Sequence, residues 1–156
     1  MYWVRLTPAK INAYTFRNLP SAWWCGVRVI KITQLSCEVI LRLNFFNKNP
    51  FRSIFWAVQG MAAELSTGVL LMQEIDNLNK NVSMLVIENK AEFTKKAKGK
   101  IKFVCGQGQE VKETFQTLSE SKKPQTIWMS AQGLDEDGDR VSYFEFHWTL
   151  KEKMDD

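Results

Sequence analysis

Apolar positions along this chain recur with two different periods, and each period predicts a different kind of element. Thr7-Pro8 is a helix start, because the N–H that proline lacks would have had no acceptor in the first turn anyway. That helix should stop near Asn18, ahead of Leu19-Pro20, since the residue before a proline is pushed out of the helical region. Strict alternation follows. Residues 27–33 set Val27, Val29 and Lys31 against Arg28, Ile30 and Ile32. Residues 37–46 place Val39, Leu41, Leu43 and Phe45 on one face, with Glu38, Arg42 and Asn44 on the other. Both segments read as strands, whose successive side chains point to opposite faces.

After the turn Asn47-Lys48-Asn49-Pro50 the period changes. Ser53 is placed to cap a long helix running to near Asp76, apolar on almost every side from 54 to 72. Such a stretch is long enough to cross a bilayer. Gln59 and Glu64 stand near its middle, however, and a carboxylate there costs roughly 2.5–3.5 kcal/mol to insert. The helix therefore reads as one buried inside the protein. Residues 84–95, 100–105, 124–134 and 141–151 read as strands. Residues 110–120 form a surface helix with Val111, Phe115 and Leu118 on one face. The aspartates of 135–139 surround an Asp-Gly hairpin turn but lack calcium-loop spacing and flanking helices. Gly106-Gln107-Gly108 lacks the third glycine of a dinucleotide fingerprint and reads as a turn. A helix apolar nearly all round needs a cover, and an antiparallel sheet of about six strands supplies it, giving an α+β fold.

Composition narrows the chemistry. The chain has 156 residues, 45% hydrophobic and 24% charged, enough for one domain over 1–156 with a helical extension at 1–18. His147 is its single histidine, which excludes zinc sites needing two or three within a chain. Cys25, Cys37 and Cys105 form no Cys-x-x-Cys pair, so neither a metal site nor a disulfide framework is expected, and a reducing cytoplasm fits. Arg5, Lys10 and Arg17 interrupt any signal-peptide core. The net charge of +4 favours anionic partners mildly. Six lysines from Lys90 to Lys102 form either a solvated face or a phosphate contact. Without an aromatic RNA-binding signature or a recognition helix, nucleic acid is not expected.

Candidate chemistry lies on the long helix. Ser53, Ala57, Gly60, Glu64, Thr67 and Gly68 recur at spacings of three and four, a face of small side chains around one carboxylate. Either this face packs on the sheet while Glu64 reaches water, or it admits another backbone or a ligand beside the carboxylate.

The runs 47–51 and 60–68, with the opening segment 20–29, resemble the hotdog fold, in particular its DUF4442 branch, related to acyl-CoA thioesterases of the phenylacetate-pathway type. The resemblance spans 19–151. In active relatives a loop asparagine precedes a helical Asp or Glu by fifteen positions, the separation of Asn49 and Glu64. It implies that Glu64 activates water at a thioester carbonyl, or attacks it directly, while amides at the helix start polarise the carbonyl oxygen. Desolvation would raise a carboxylate toward the range of a working base, and free N–H groups suit a developing oxyanion. Asn49 would orient water or thioester, with Ser53 and Gly60 lining the site and Ser83 as a second polar group. One departure stands out: Phe55-Trp56-Ala57 replaces the His-Gly-Gly of active relatives.

The resemblance also implies a homodimer or tetramer with a ligand tunnel between subunits. Lys95, Lys96 and Lys98 would meet coenzyme A phosphates at its rim. Pairing would protect an edge near Val39, Leu41 and Leu43. Trp23, Trp24, Phe51 and Trp56 would fill the core or line an acyl chain. The expected activity is acyl-CoA hydrolysis. The alternative is non-catalytic binding of an acyl chain or acyl-CoA. No cofactor beyond the substrate's own coenzyme A, no metal and no membrane partner are expected.

Overall fold

The computed structural model describes residues 5–153. In chain order the elements are α1 (Pro8–Asn18), α2 (Pro20–Trp24), β1 (Arg28–Ile32), β2 (Cys37–Arg42), α3 (Trp56–Leu78), β3 (Val82–Phe93), β4 (Lys100–Cys105), α4 (Gly108–Ser121), β5 (Gln125–Leu134) and β6 (Arg140–Glu152). The six strands form one antiparallel sheet in the order β1-β2-β4-β5-β6-β3. Helix α3 lies across β2, β4 and β5, and α4 packs beside it.

Local chemistry sets most boundaries where the sequence pattern puts them. The Thr7 hydroxyl accepts from the Lys10 amide at 3.3 Å and caps α1. Asn12 on α1 then grips β1: its Oδ1 accepts from Val29 N at 2.9 Å and its Nδ2 donates to Val29 O at 2.8 Å. Those groups belong to the outer edge of the sheet, so one side chain blunts the β1 edge. Helix α3 ends past Asp76, at Leu78, where Asn79 takes the left-handed conformation at φ 51°.

Two expectations fail at β2. The strand stops at Arg42 rather than 46, because Asn47 pulls the chain out of the ladder. The Asn47 Oδ1 accepts from Asn44 N, and its Nδ2 donates to Cys25 O and Arg42 O. Phe45 consequently leaves the apolar face and stands in water. Nor is β2 an edge: Val39 and Leu41 are fully buried between β1 and β4. The outermost strands are β1 and β3.

The core is aromatic at its centre, with Phe103, Phe115 and Phe144 essentially inaccessible. Trp24, Phe51 and Trp56 do not join it; all three are exposed. Cys37 and Cys105 face each other across β2 and β4, buried and unbridged, and desolvation pushes the Cys105 thiol up to about 11. These thiols are inert packing groups. His147 stacks on Trp128 at 4.5 Å and meets Glu88 at 3.9 Å, so its neighbours are not cysteines.

At the start of α4, Gly108 donates to Leu35 O at 2.9 Å, and its Cα presses on the β1–β2 turn. A methyl group there would overlap the Gln34 carbonyl oxygen and stand 2.5 Å from Leu35 Cα. Gly108→Ala is expected to cost about 1–3 kcal/mol through overpacking, seen as a lower urea midpoint at unchanged slope.

Candidate active site

The small-residue face of α3 is a packing face. A Cβ on Gly60 would stand 3.4 Å from the Phe144 ring, and one on Gly68 would stand 3.5 Å from Trp148 and 3.7 Å from Met84. Both glycines let α3 sit low over the β6–β3 end of the sheet. A buried relay fixes the height of the helix there: the Trp148 indole N–H donates to Thr67 Oγ1 at 3.0 Å, and that hydroxyl donates to the Glu64 carbonyl at 2.8 Å.

Glu64 lies between the two glycines, half-buried. Desolvation raises its carboxyl above the ordinary range, and its side chain has no hydrogen-bond or ion-pair partner among the described residues. A desolvated carboxyl whose oxygens are uncommitted is the electrostatic condition for a base.

The start of α3 differs from expectation. Ser53 does not cap the helix. Ile54 N donates to Ala97 O at 2.9 Å, Ile54 bridges Lys48, and the chain stays extended through Phe55, so the helix begins at Trp56 with no side-chain cap. Val58 N and Gln59 N donate to Phe55 O at 3.0 and 3.2 Å, which leaves the Trp56 and Ala57 N–H groups without an acceptor among the described residues. Ser53 instead belongs to Asn49: the Asn49 Nδ2 donates to Ser53 Oγ at 3.0 Å, and Asn49 Oδ1 accepts from Phe51 N and Ser53 N. Asn49 thus shapes the loop with the same atoms it would use on a substrate.

A cleft of about 390 Å³ opens beside this helix start. Asn49, Ser53, Ile54, Trp56 and Gln59 form one wall, and residues 93–97 the other. The fold thus gathers Asn49, Ser53, Trp56, Lys95 and Lys96 in one place. It leaves out Phe55, Ala57, Gly60, Glu64, Ser83 and Lys98. Ser83 donates to Lys151 O at the start of β3, at the opposite end of that strand from Phe93. Lys98 is exposed. Lys95 is engaged: its ammonium holds Asp135 at 2.6 Å and Asp139 at 2.9 Å, which raises its own pKa and lowers that of Asp135. Lys96 extends instead over the Phe51 ring at 5.9 Å.

Gln59 also reaches this cleft. Its amide Nε2 donates to Ile54 O at 3.1 Å, while its buried Oε1 has no partner among the described residues. In the sequence it is only a polar interruption of an apolar helix. Neither its neighbours in sequence nor its spacing distinguishes it from a solvent-facing glutamine. No cluster of metal-binding side chains occurs among the described residues.

A long helix seated on a six-stranded antiparallel sheet of this order is the hotdog fold. Solved structures share it. A protein from Pseudomonas aeruginosa described as of unknown function, probable thioesterase, superposes with a TM-score of 0.80 at 17% identity, covering 96% of this chain and 99% of the other. A protein of unknown function from Chlorobaculum tepidum gives 0.81 at 15% identity over 97% and 100%. A thioesterase from Haemophilus influenzae gives 0.74 at 10% identity over 99% and 98%. At these identities the likeness shows the fold. The family model DUF4442, a domain of unknown function, matches residues 10–150, and the chain belongs to that family. No curated protein matches it.

Proposed function

We propose that this protein hydrolyses the thioester of an acyl-CoA or a similar carrier conjugate, with Glu64 as the base that activates water. The observation that carries this reading is the state of Glu64: desolvated, unpartnered, and held by the Thr67–Trp148 relay between two glycines. The free Trp56 and Ala57 N–H groups at the uncapped start of the second copy's α3 supply amide donors for the carbonyl oxygen, since those of the same chain lie about 10–12 Å along the helix from Glu64. The structural relatives described as a thioesterase and as a probable thioesterase support the reaction class.

A second copy completes the site in this proposal. Strand β3 is a twelve-residue edge that exposes Leu85 and Ile87, whereas Asn12 blunts the β1 edge. Long, apolar, open edges pair. Pairing along β3 brings a partner over the end of the sheet where Glu64 sits. Three unbridged cysteines suit a reducing cytoplasm.

Release of free coenzyme A across acyl-CoAs of graded chain length tests the activity. A wild type inactive on all of them would favour the binding reading, which Phe55 and Trp56 motivate by crowding the helix start with rings 5.9 Å apart. The lysines supply a finer test. Lys96→Ala is expected to raise KM for acyl-CoA with kcat unchanged. Lys95→Ala should leave KM alone, because that ammonium is committed to the 135–139 turn. Equal effects of the two substitutions would contradict the assignment.

A further inference from the structure

Aromatic side chains normally bury most of their surface, yet Trp24, Phe46 and Phe51 are more than half exposed and Phe45 is 76% exposed. Trp24, Phe45 and Phe46 are not scattered. Trp24 meets Phe46 at 5.9 Å, Phe46 meets Phe45 at 5.7 Å, and the Lys48 ammonium lies 4.9 Å from the Phe45 ring. The loop that presents them is firmly built: Asn47 ties it to Cys25 and Arg42, Lys48 bridges Ile54, and Asn49 closes its tip. A contiguous exposed apolar patch on a fixed loop marks an interaction surface.

Charge identifies the partner. From Met1 to Ala63 the sequence carries eight Arg or Lys and one carboxylate, Glu38, which is spent on Lys31 and Lys102. Among the described residues Arg17, Arg42, Lys48, Arg52 and Lys96 have no carboxylate partner, so their charge is not spent within the chain. The acidic 135–139 turn borders the patch on the β4 side, where Glu136 approaches Gly99, whose carbonyl accepts from Leu43 N. Trp24, Phe45 and Phe46 lie beside β1 and β2, across the sheet from the open β3 edge.

We propose that this patch docks the protein onto an anionic phospholipid bilayer, with Trp24, Phe45 and Phe46 entering the interface and Lys48 and Arg52 meeting the headgroups. Aromatic rings favour the depth where apolar and wet regions meet, and cations add attraction to anionic lipid. Single-stranded nucleic acid fits less well: Phe45 and Phe46 pack edge-to-face at 87° rather than as separate platforms for successive bases. Docking differs from crossing, for which no described helix is long and apolar enough.

Co-sedimentation with vesicles of phosphatidylcholine, alone or mixed with phosphatidylglycerol, tests this at low salt. The full chain is expected to partition about tenfold or more better into the mixed vesicles. Phe45→Ser/Phe46→Ser should lose about tenfold. Lys48→Gln/Arg52→Gln should lose about fivefold per charge, both with unchanged thermal melts. Equal binding to both vesicles, or wild-type binding by both variants, overturns the proposal. So does a serine variant that splits an oligomer in sedimentation without any vesicle binding by the wild type. Patch-dependent binding of a labelled poly-uridine strand without vesicle binding overturns it as well.

Discussion

Glu64→Gln is expected to slow thioester hydrolysis by about 10²–10⁴-fold, the usual worth of a positioned base, while making the protein more stable at neutral pH. The two effects share a cause. Desolvation lifts the folded-state pKa of Glu64 above its value in the unfolded chain, where the group is solvated. Between those two values the native state binds more protons than the unfolded state, so stability falls as pH rises through that window and stays lower above it. Glutamine keeps the shape and carries no charge to desolvate. Melting curves of the two proteins should coincide in strong acid and separate as pH climbs through the carboxylate range, with the variant melting higher at pH 7. The rate moves the other way, because only the ionised carboxylate takes a proton: its acid limb should bend above the ordinary Glu range. A variant that melts lower at neutral pH would show that Glu64 makes a favourable ionic contact, and its role as an uncommitted base would then fail.

How far the sequence revealed this arrangement depended on whether the deciding interaction was local. The β4 limits, the Thr7 cap and the apolar face of α4 follow from residues within a few positions of one another. The start of α3 does not. Ser53 has the chemistry of a cap, but Ala97, over forty residues on, accepts from Ile54 and holds the chain extended. Phe45 fits the alternation of β2, and one buried asparagine, Asn47, removes it from the sheet. Side-chain bonds across such distances leave no periodic trace.

The same distinction divides the candidate site. The Asn49–Glu64 spacing is linear and was visible, yet the cleft gathers Asn49 with Gln59 and residues 93–97, and leaves Glu64 on a different face of α3. Ser83 and Phe93 lie in one strand but at opposite ends of it. Of the rim lysines, Lys95 is removed by Asp135 and Asp139, a pairing that only the β5–β6 hairpin creates.

Phe144→Ala is expected to be the most destabilising substitution, at about 3–5 kcal/mol, a large share of the 5–15 kcal/mol typical of a domain. The ring is 2% exposed and organises four neighbours. It stacks on Phe146 at 6.0 Å and receives the edges of Phe93 at 5.6 Å and Phe103 at 6.2 Å. Its outer edge also supports Gly60, so the start of α3 rests on it. Truncation leaves a cavity under the helix that the rigid sheet is poorly placed to close, and Phe93, a wall of the cleft, loses its backing. Gly60→Ala should behave oppositely. Its methyl would meet the Phe144 ring at 3.4 Å, the near limit of ordinary contact, while alanine gains about 0.8–1 kcal/mol of helix propensity over glycine. Urea unfolding should therefore show a much lower midpoint for Phe144→Ala at unchanged slope, and a midpoint at or slightly above wild type for Gly60→Ala. A loss below about 1 kcal/mol for Phe144→Ala would mean that α3 settles into the space, and the height of Glu64 above the sheet would then depend on the Trp148–Thr67 relay alone.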